Sequence, residues 1–441
     1  MRATGYRRFL FAIAALPCSL LSLSTSAQTA AEQTAPATTA FDRRTAQLPD
    51  VVAGNIAFDD YFAPMFRAEV PQSRFAEITR SLIAQYGRPL GVESAQSADG
   101  RSGTLKLRFE KGTATVRLDV GATADERVTG LLITGFTVDG DDFHRIAADL
   151  AALPGATGFL VAEIDGDAIR TIASANADRQ YAVGSTFKLY ILDELAAQIA
   201  AGKRRWRDVV LLSHSSFSSA ATANWPKDTP VTLQTLANWM ISVSDNGAAD
   251  TLLHLLGRDA IEARMRAAGH SEPSRNIPFL STVEAFALKG NNFTTERAAF
   301  IGADDKAQRR LIDANAGRLT LANVDGVSFA AGPRFIGELE WFASPRDIAR
   351  LMADLRRRNS APMMAAMAIN NGVGPVAAEP WRYLGYKGGS ENGVLSMSLL
   401  GQRKSDGKWF VVTASWNNPE ANVETDRLVG LVRRLLALAA K

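Results

Sequence analysis

The chain holds a single cysteine, Cys18, in 441 residues. One thiol excludes an internal disulfide framework, and it excludes any metal site built on several thiolates. Histidine is nearly as scarce. His144, His214, His254 and His270 are scattered without ligand spacing, so each reads as an ordinary helix or loop residue, and no metal or cofactor is expected. An excess of one charge is missing too, with 49 Lys and Arg against 46 Asp and Glu. The apolar run from Phe9 to about Leu23 is interrupted by Pro17 and serines, which leaves it too short to span a bilayer.

That run has another use. Arg2, Arg7 and Arg8 precede it, and the small residues Thr25 and Ala27 follow it. Residues 1–27 therefore read as a cleaved signal peptide, by the general or the twin-arginine route, which implies a periplasmic or secreted protein with no remaining membrane anchor. Cleavage removes three arginines and no acid, so the net charge of +3 falls to zero. No basic field remains to attract nucleic acid.

Residues 28–50, rich in Ala, Thr and Gln, are expected to form a flexible linker. A small α+β domain follows over 51–140. Phe75, Ile78, Leu82 and Tyr86 recur at helical spacing before Gly87. Leu105, Leu107 and Phe109 then alternate with Lys106, Arg108 and Glu110, a turn at Lys111-Gly112 follows, and Ala114, Val116, Leu118 and Val120 repeat the alternation. Residues 127–138 make another strand. Such a helix and antiparallel meander look like the cystatin or steroid-isomerase (NTF2-like) folds. Asp59, Asp60 and Tyr61 read as a solvated helix start rather than an isomerase site.

Residues 141–441 form a larger unit. A helix over 142–150 leads to strands at 158–164 and 170–173. A helical region runs from Ser185 to about Arg358, and strands return at 394–403 and 408–416 before an amphipathic helix from Glu420 to Ala439. Strands from both ends of this unit must pair into one sheet, with the helical region inserted between them.

The chemistry is concentrated in Ser185-Thr186-Phe187-Lys188. Residues three apart on a helix share a face, so the lysine amine reaches the serine hydroxyl. A buried lysine held neutral can take the hydroxyl proton and make a nucleophile without histidine. The spacing alone is weak, because Ser405-Asp406-Gly407-Lys408 repeats it in a hairpin turn. Ser185 alone also suits an N-cap, and Ser244-Asp245-Asn246 alone suits a turn. Taken in order, Ser185-x-x-Lys188, Ser244-Asp245-Asn246 and Lys387-Gly388-Gly389-Ser390 are the three signatures of the penicillin-recognising serine enzymes. From about residue 141 onward the chain resembles the class A β-lactamase-like serine hydrolases. With its N-terminal domain it is similar in architecture to the β-lactamase-like esterases of clavulanic-acid clusters.

The resemblance implies an α/β sandwich, an antiparallel sheet flanked by helices with a helical domain inserted. It also implies roles. Ser185, opening a helix from 185 to 201, attacks a carbonyl with Lys188 as base. Backbone N–H groups of Ser185 and Ser390, next to Gly389, hold the oxyanion. Ser244 relays a proton to the leaving group, Lys387 polarises Ser244 and attracts a substrate carboxylate, and Asn246 binds the substrate amide and Lys188. Two departures stand out. The Glu-x-x-Leu-Asn segment that supplies the deacylating base in class A enzymes is missing, and its nearest counterpart, Glu284, also suits a helix start after Ser281-Thr282. Gly388 stands where many relatives carry threonine or serine, so one hydroxyl donor is lost. The expected function is an exported serine hydrolase acting on a small-molecule β-lactam or ester. The alternatives are a D-alanyl-D-alanine peptidase-type enzyme and a sensor that stays acylated.

Overall fold

A computed structural model describes residues 38–441; the signal peptide expected over 1–27 lies outside the described residues. The linker expected over 28–50 does not extend to residue 50, because Ala40–Ala53 is a helix. Phe41, Thr45, Leu48 and Val52 are buried on one side of it, at the i, i+4, i+7 and i+11 spacing of an apolar face.

That helix packs on a four-stranded antiparallel meander made by Pro89–Ser97, Ser102–Phe109, Gly112–Val120 and Val128–Val138. Leu105, Leu107 and Phe109 meet Ala114, Val116 and Leu118 in the core beneath it. Phe58, Phe62, Phe66 and Phe75 add an aromatic cluster, with Phe62 and Phe66 stacked 4.2 Å apart. Asp59 and Asp60 are exposed, whereas Tyr61 is buried and donates to the Arg44 carbonyl at 2.8 Å. Tyr61 is therefore a core residue of this domain.

The larger region is organised on a five-stranded antiparallel sheet. Its spatial order is Trp381–Glu391, Val394–Arg403, Trp409–Asn417, Ala156–Asp165 and Ala168–Ala175. Trp409–Asn417 pairs with Ala156–Asp165, so chain segments about 250 residues apart close the sheet, as the sequence predicts. Leu160, Ala162, Leu400 and Val411 point to the core shared with the inserted helices. Phe159, Val161, Leu399 and Val412 point to the other face, where Phe143–Ala151 and the C-terminal helix Thr425–Ala439 pack. This alternation makes the sheet the middle layer of a three-layer sandwich. Ser405-Asp406-Gly407 is the tight turn between two of its strands, braced by an Arg403–Asp406 ion pair at 2.6 Å. The second Ser-x-x-Lys spacing is thus a hairpin.

Candidate active site

The Trp381–Glu391 strand lies at the edge of the sheet, and the Ser185 turn packs against it. Ser185 does not open an α-helix. Gly184–Phe187 is a 3₁₀ turn, and the α-helix begins at Lys188 and runs to Ala200. The tighter turn has a local cause. Gly184 takes a left-handed φ of +47°, a conformation open to glycine at little cost. A Cβ on Gly389 would stand 2.0 Å from the Val183 carbonyl oxygen and 2.5 Å from Ser185 N. Only glycine at 389 lets the strand come this close. Ser390 N lies beside Gly184, 3.0 Å from where a Cβ would be. Ser396 of the next strand fixes the turn by donating to the Val183 carbonyl at 2.7 Å and bonding the Thr186 hydroxyl at 2.7 Å.

Lys188 is fully buried, and its amine gathers the site together. It lies 3.1 Å from Ser185 Oγ, 3.2 Å from Ser244 Oγ, 2.5 Å from the Ser244 carbonyl oxygen and 2.5 Å from Asn246 Oδ1. Burial pushes its pKa down to about 7, against the pull of Asp250 and Asp245. A neutral amine suits this shell, since two N–H donors serve the two carbonyl-type oxygens and the lone pair faces the serine hydroxyls.

Lys387 approaches Ser244 from the strand, donating to Ser244 Oγ at 2.8 Å and to the Gly388 carbonyl at 2.6 Å. Burial, and then the Lys188 charge, hold its pKa well below the usual lysine range. Ser244 thus stands between two buried amines, able to accept from one and donate to the other. It does so from a left-handed backbone conformation, φ +61°, which costs a non-glycine residue on the order of 1 kcal/mol or more.

Asp245 holds this strained loop. Its carboxylate caps the Asn246–Leu256 helix through Ala248 N and accepts from Ala221 N, Thr222 N and the Thr222 hydroxyl, all within 2.7–2.8 Å. Asn246 Nδ2 donates to the Phe217 carbonyl at 2.7 Å. One turn further, Asp250 accepts from Thr282 N, the Thr282 hydroxyl and Val283 N, and burial pushes its pKa up to about 6. The sequence reading missed Asp250, although its position four residues after Asn246 places both on one helix face.

Glu284 belongs to different work. Its carboxylate closes a capping box with Ser281 and takes Arg258 Nη2 at 2.7 and 3.0 Å. Burial would raise its pKa, but Arg258 outweighs it and holds the pKa below the usual range. None of its hydrogen bonds reaches the Ser185 cluster, and a carboxylate stabilised as an anion by arginine is a weak base. Elsewhere the buried Lys289 is clamped by Glu340, also buried, and by the partly buried Glu391, at 2.5 Å each. His214 and His254, scattered in sequence, stack 4.0 Å apart.

This geometry unites Ser185, Lys188, Ser244, Asn246 and Lys387, with Gly389 and Ser390 alongside, and leaves Glu284 outside. A family model described as the beta-lactamase enzyme family matches residues 143–370, more than half of the chain. The chain belongs to the beta-lactamase family. The match takes in Ser185 to Asn246 and stops short of Lys387. Solved structures similar to this beta-lactamase family member include a β-lactamase from Sphaerobacter thermophilus DSM 20745, at 20% identity and TM-score 0.48, covering 68% of this chain and 98% of that one. Another, a β-lactamase from Chitinophaga pinensis DSM 2588, has 15% identity and TM-score 0.45 over 67% and 98%. PBP-A has 13% identity and TM-score 0.45 over 67% and 95%. No curated protein matches.

Proposed function

We propose that the protein is an exported serine hydrolase that opens β-lactams or carboxylic esters through an acyl-enzyme on Ser185. The observation that carries this reading is the Lys188 amine, 3.1 Å from Ser185 Oγ and brought by burial to a pKa of about 7. A neutral Lys188 accepts the Ser185 proton as Oγ bonds to the carbonyl carbon. The developing oxyanion is held by the N–H groups of Ser185 and Ser390. Ser244 then donates its proton to the departing nitrogen or oxygen and is resupplied from the buried amines on either side of it. Water attack on the ester of Ser185 returns the enzyme and releases the acid.

Deacylation is expected to be the slow half of this cycle, since among the described residues no carboxylate hydrogen-bonds within the Ser185–Lys188–Ser244 cluster and Glu284 is engaged by Arg258. The same observation supports a second reading, a D-alanyl-D-alanine peptidase-type enzyme or a sensor that remains acylated. Intact-mass spectrometry with a fluorescent penicillin, wild type beside Ser185→Ala, tests both. A wild-type adduct that forms and clears, missing from Ser185→Ala, is the expected result. An adduct that persists favours the second reading. Penicillin labelling and p-nitrophenyl ester hydrolysis that both survive Ser185→Ala would defeat the proposal.

A further inference from the structure

The Trp381–Glu391 strand pairs without a bulge from Tyr383 to Glu391, so Lys387, Gly389 and Glu391 fall on one face of it. Lys387 serves Ser244, and Gly389 seats the Ser185 turn. Glu391 has a different partner. Its carboxyl accepts from Lys289 Nζ at 2.5 Å. Lys289 ends the Thr282–Lys289 helix, is 1% exposed, and donates at the same 2.5 Å to Glu340.

Glu340 opens the segment that lines the other side of the Ser185 turn. The next residue, Trp341, accepts from Val183 N through its carbonyl at 2.9 Å and stacks its ring on Phe187 at 3.9 Å. Phe342 and Ala343 then pair with Ala182 and Tyr181. One ammonium therefore ties together the two pieces of backbone that flank Ser185. The first braces the turn that carries Ser185 N. The second carries Ser390 N, which lies beside Gly184.

The charges suit a fixed joint. Burial works against the Lys289 charge, but Glu340 and Glu391 outweigh it and hold its pKa above the usual lysine range. Burial, and then the Glu340 charge, push the Glu391 pKa up to about 8. Glu391 thus keeps a proton at neutral pH, which leaves one negative charge on the acid pair against one ammonium. None of the three side chains hydrogen-bonds Ser185, Lys188 or Ser244, so their effect on the site passes through the position of the backbone.

We infer that Glu391 is a positioning residue: anchored by Lys289 together with Glu340, it fixes the end of the edge strand and so the spacing of the Ser185 and Ser390 N–H groups. The inference rests on the acyl-enzyme reading above, in which those two groups receive the oxyanion. A shifted donor is felt in the transition state, where the oxyanion forms, and not in the initial complex.

Glu391→Gln keeps the shape and the accepting oxygen, and it matches the neutral carboxyl. Glu391→Ala and Glu391→Met remove the acceptor, the second without leaving a hole. Stopped-flow acylation with a penicillin or a p-nitrophenyl ester, on variants shown by calorimetry to be folded, separates the dissociation constant of the initial complex from the acylation rate constant. A misplacement of about 1 Å costs on the order of 100-fold, so the rate constant is expected to fall about tenfold or more in Glu391→Ala and Glu391→Met. The dissociation constant stays unchanged, and Glu391→Gln keeps the wild-type rate constant. A folded Ala or Met variant that acylates at the wild-type rate overturns the inference while leaving the hydrolase reading intact. So does a Gln variant as slow as the Ala variant. A wild-type protein that forms no acyl-enzyme on Ser185 with either substrate overturns both.

Discussion

At the scale of single residues, the candidate site holds two lysines made weakly basic by burial. Lys188 has a pKa of about 7, with burial the main cause, and Lys387 lies well below its usual range for the same reason, reinforced by Lys188. The two amines share Ser244 Oγ, so a proton held by one is felt by the other. Lys188 accepts a proton only when neutral, and its neutral fraction grows as pH rises through its depressed pKa. Acylation should therefore be slow at pH 5 and rise to a plateau above pH 8, with a midpoint near 7. Stopped-flow acylation across this range checks it; a rate that falls between pH 6 and 8 would show that the protonated amine is the active form. The lysines and serines of this cluster were legible in the sequence because their types and order carry the chemistry. The wedging of Tyr386 was not, since it follows from glycines at 372 and 388 that only the folded chain brings around one ring.

At the scale of elements, the pattern of periodicities predicts most of the sheet. Val394–Arg403 and Trp409–Asn417 have strongly apolar, buried runs, which mark central strands. Pro89–Ser97 escaped because it is mostly exposed, contains Gly91 and bulges on either side of Val92, so no alternation survives to be read. Ala40–Ala53 was hidden by its Pro49 and by the spacer-like residues before it. The Thr282–Lys289 helix carries the clearest test of a site assignment. Glu284 begins it with a capping box and an Arg258 pair, with side chains only 8% and 16% exposed. Glutamine keeps the capping geometry but removes the charge and leaves Arg258 unneutralised, which for a buried pair costs about 3 kcal/mol. Glu284→Gln should lower the denaturation midpoint accordingly, while the ratio of deacylation to acylation rates stays at the wild-type value. Selective accumulation of acyl-enzyme in this variant would instead return Glu284 to the mechanism.

At the scale of the whole molecule, the sheet separates the proposed chemistry from the joint with the small domain. Ser185 and Lys188 lie on the face covered by the inserted helices, while the C-terminal helix covers the other. Arg434 of that helix bonds Asp141, in the segment that leaves the small domain, at 2.6 and 2.8 Å, and Asp149 at 2.6 Å. Tyr86 at the end of the small domain's long helix reaches the same helix near Gly430, and the Pro375–Ala378 turn meets Val128–Val138 where Val376 abuts Gly135. The small domain is thus fastened to the back of the sheet and to the segment beside Gly372. Arg434 is the strongest of these fasteners, because its side chain is 9% exposed and Asp141 only 11%, whereas Asp149 at 45% keeps much of its hydration. Arg434→Met preserves most of the apolar stem but strands Asp141, so the loss should be about 3 kcal/mol, near the lower end for a broken buried pair. Calorimetry is expected to show a lower unfolding temperature, with Ser185 acylation at 25 °C retained because the sheet stands between. Loss of acylation in a variant that remains folded would mean that the joint governs the site through the Gly372 segment.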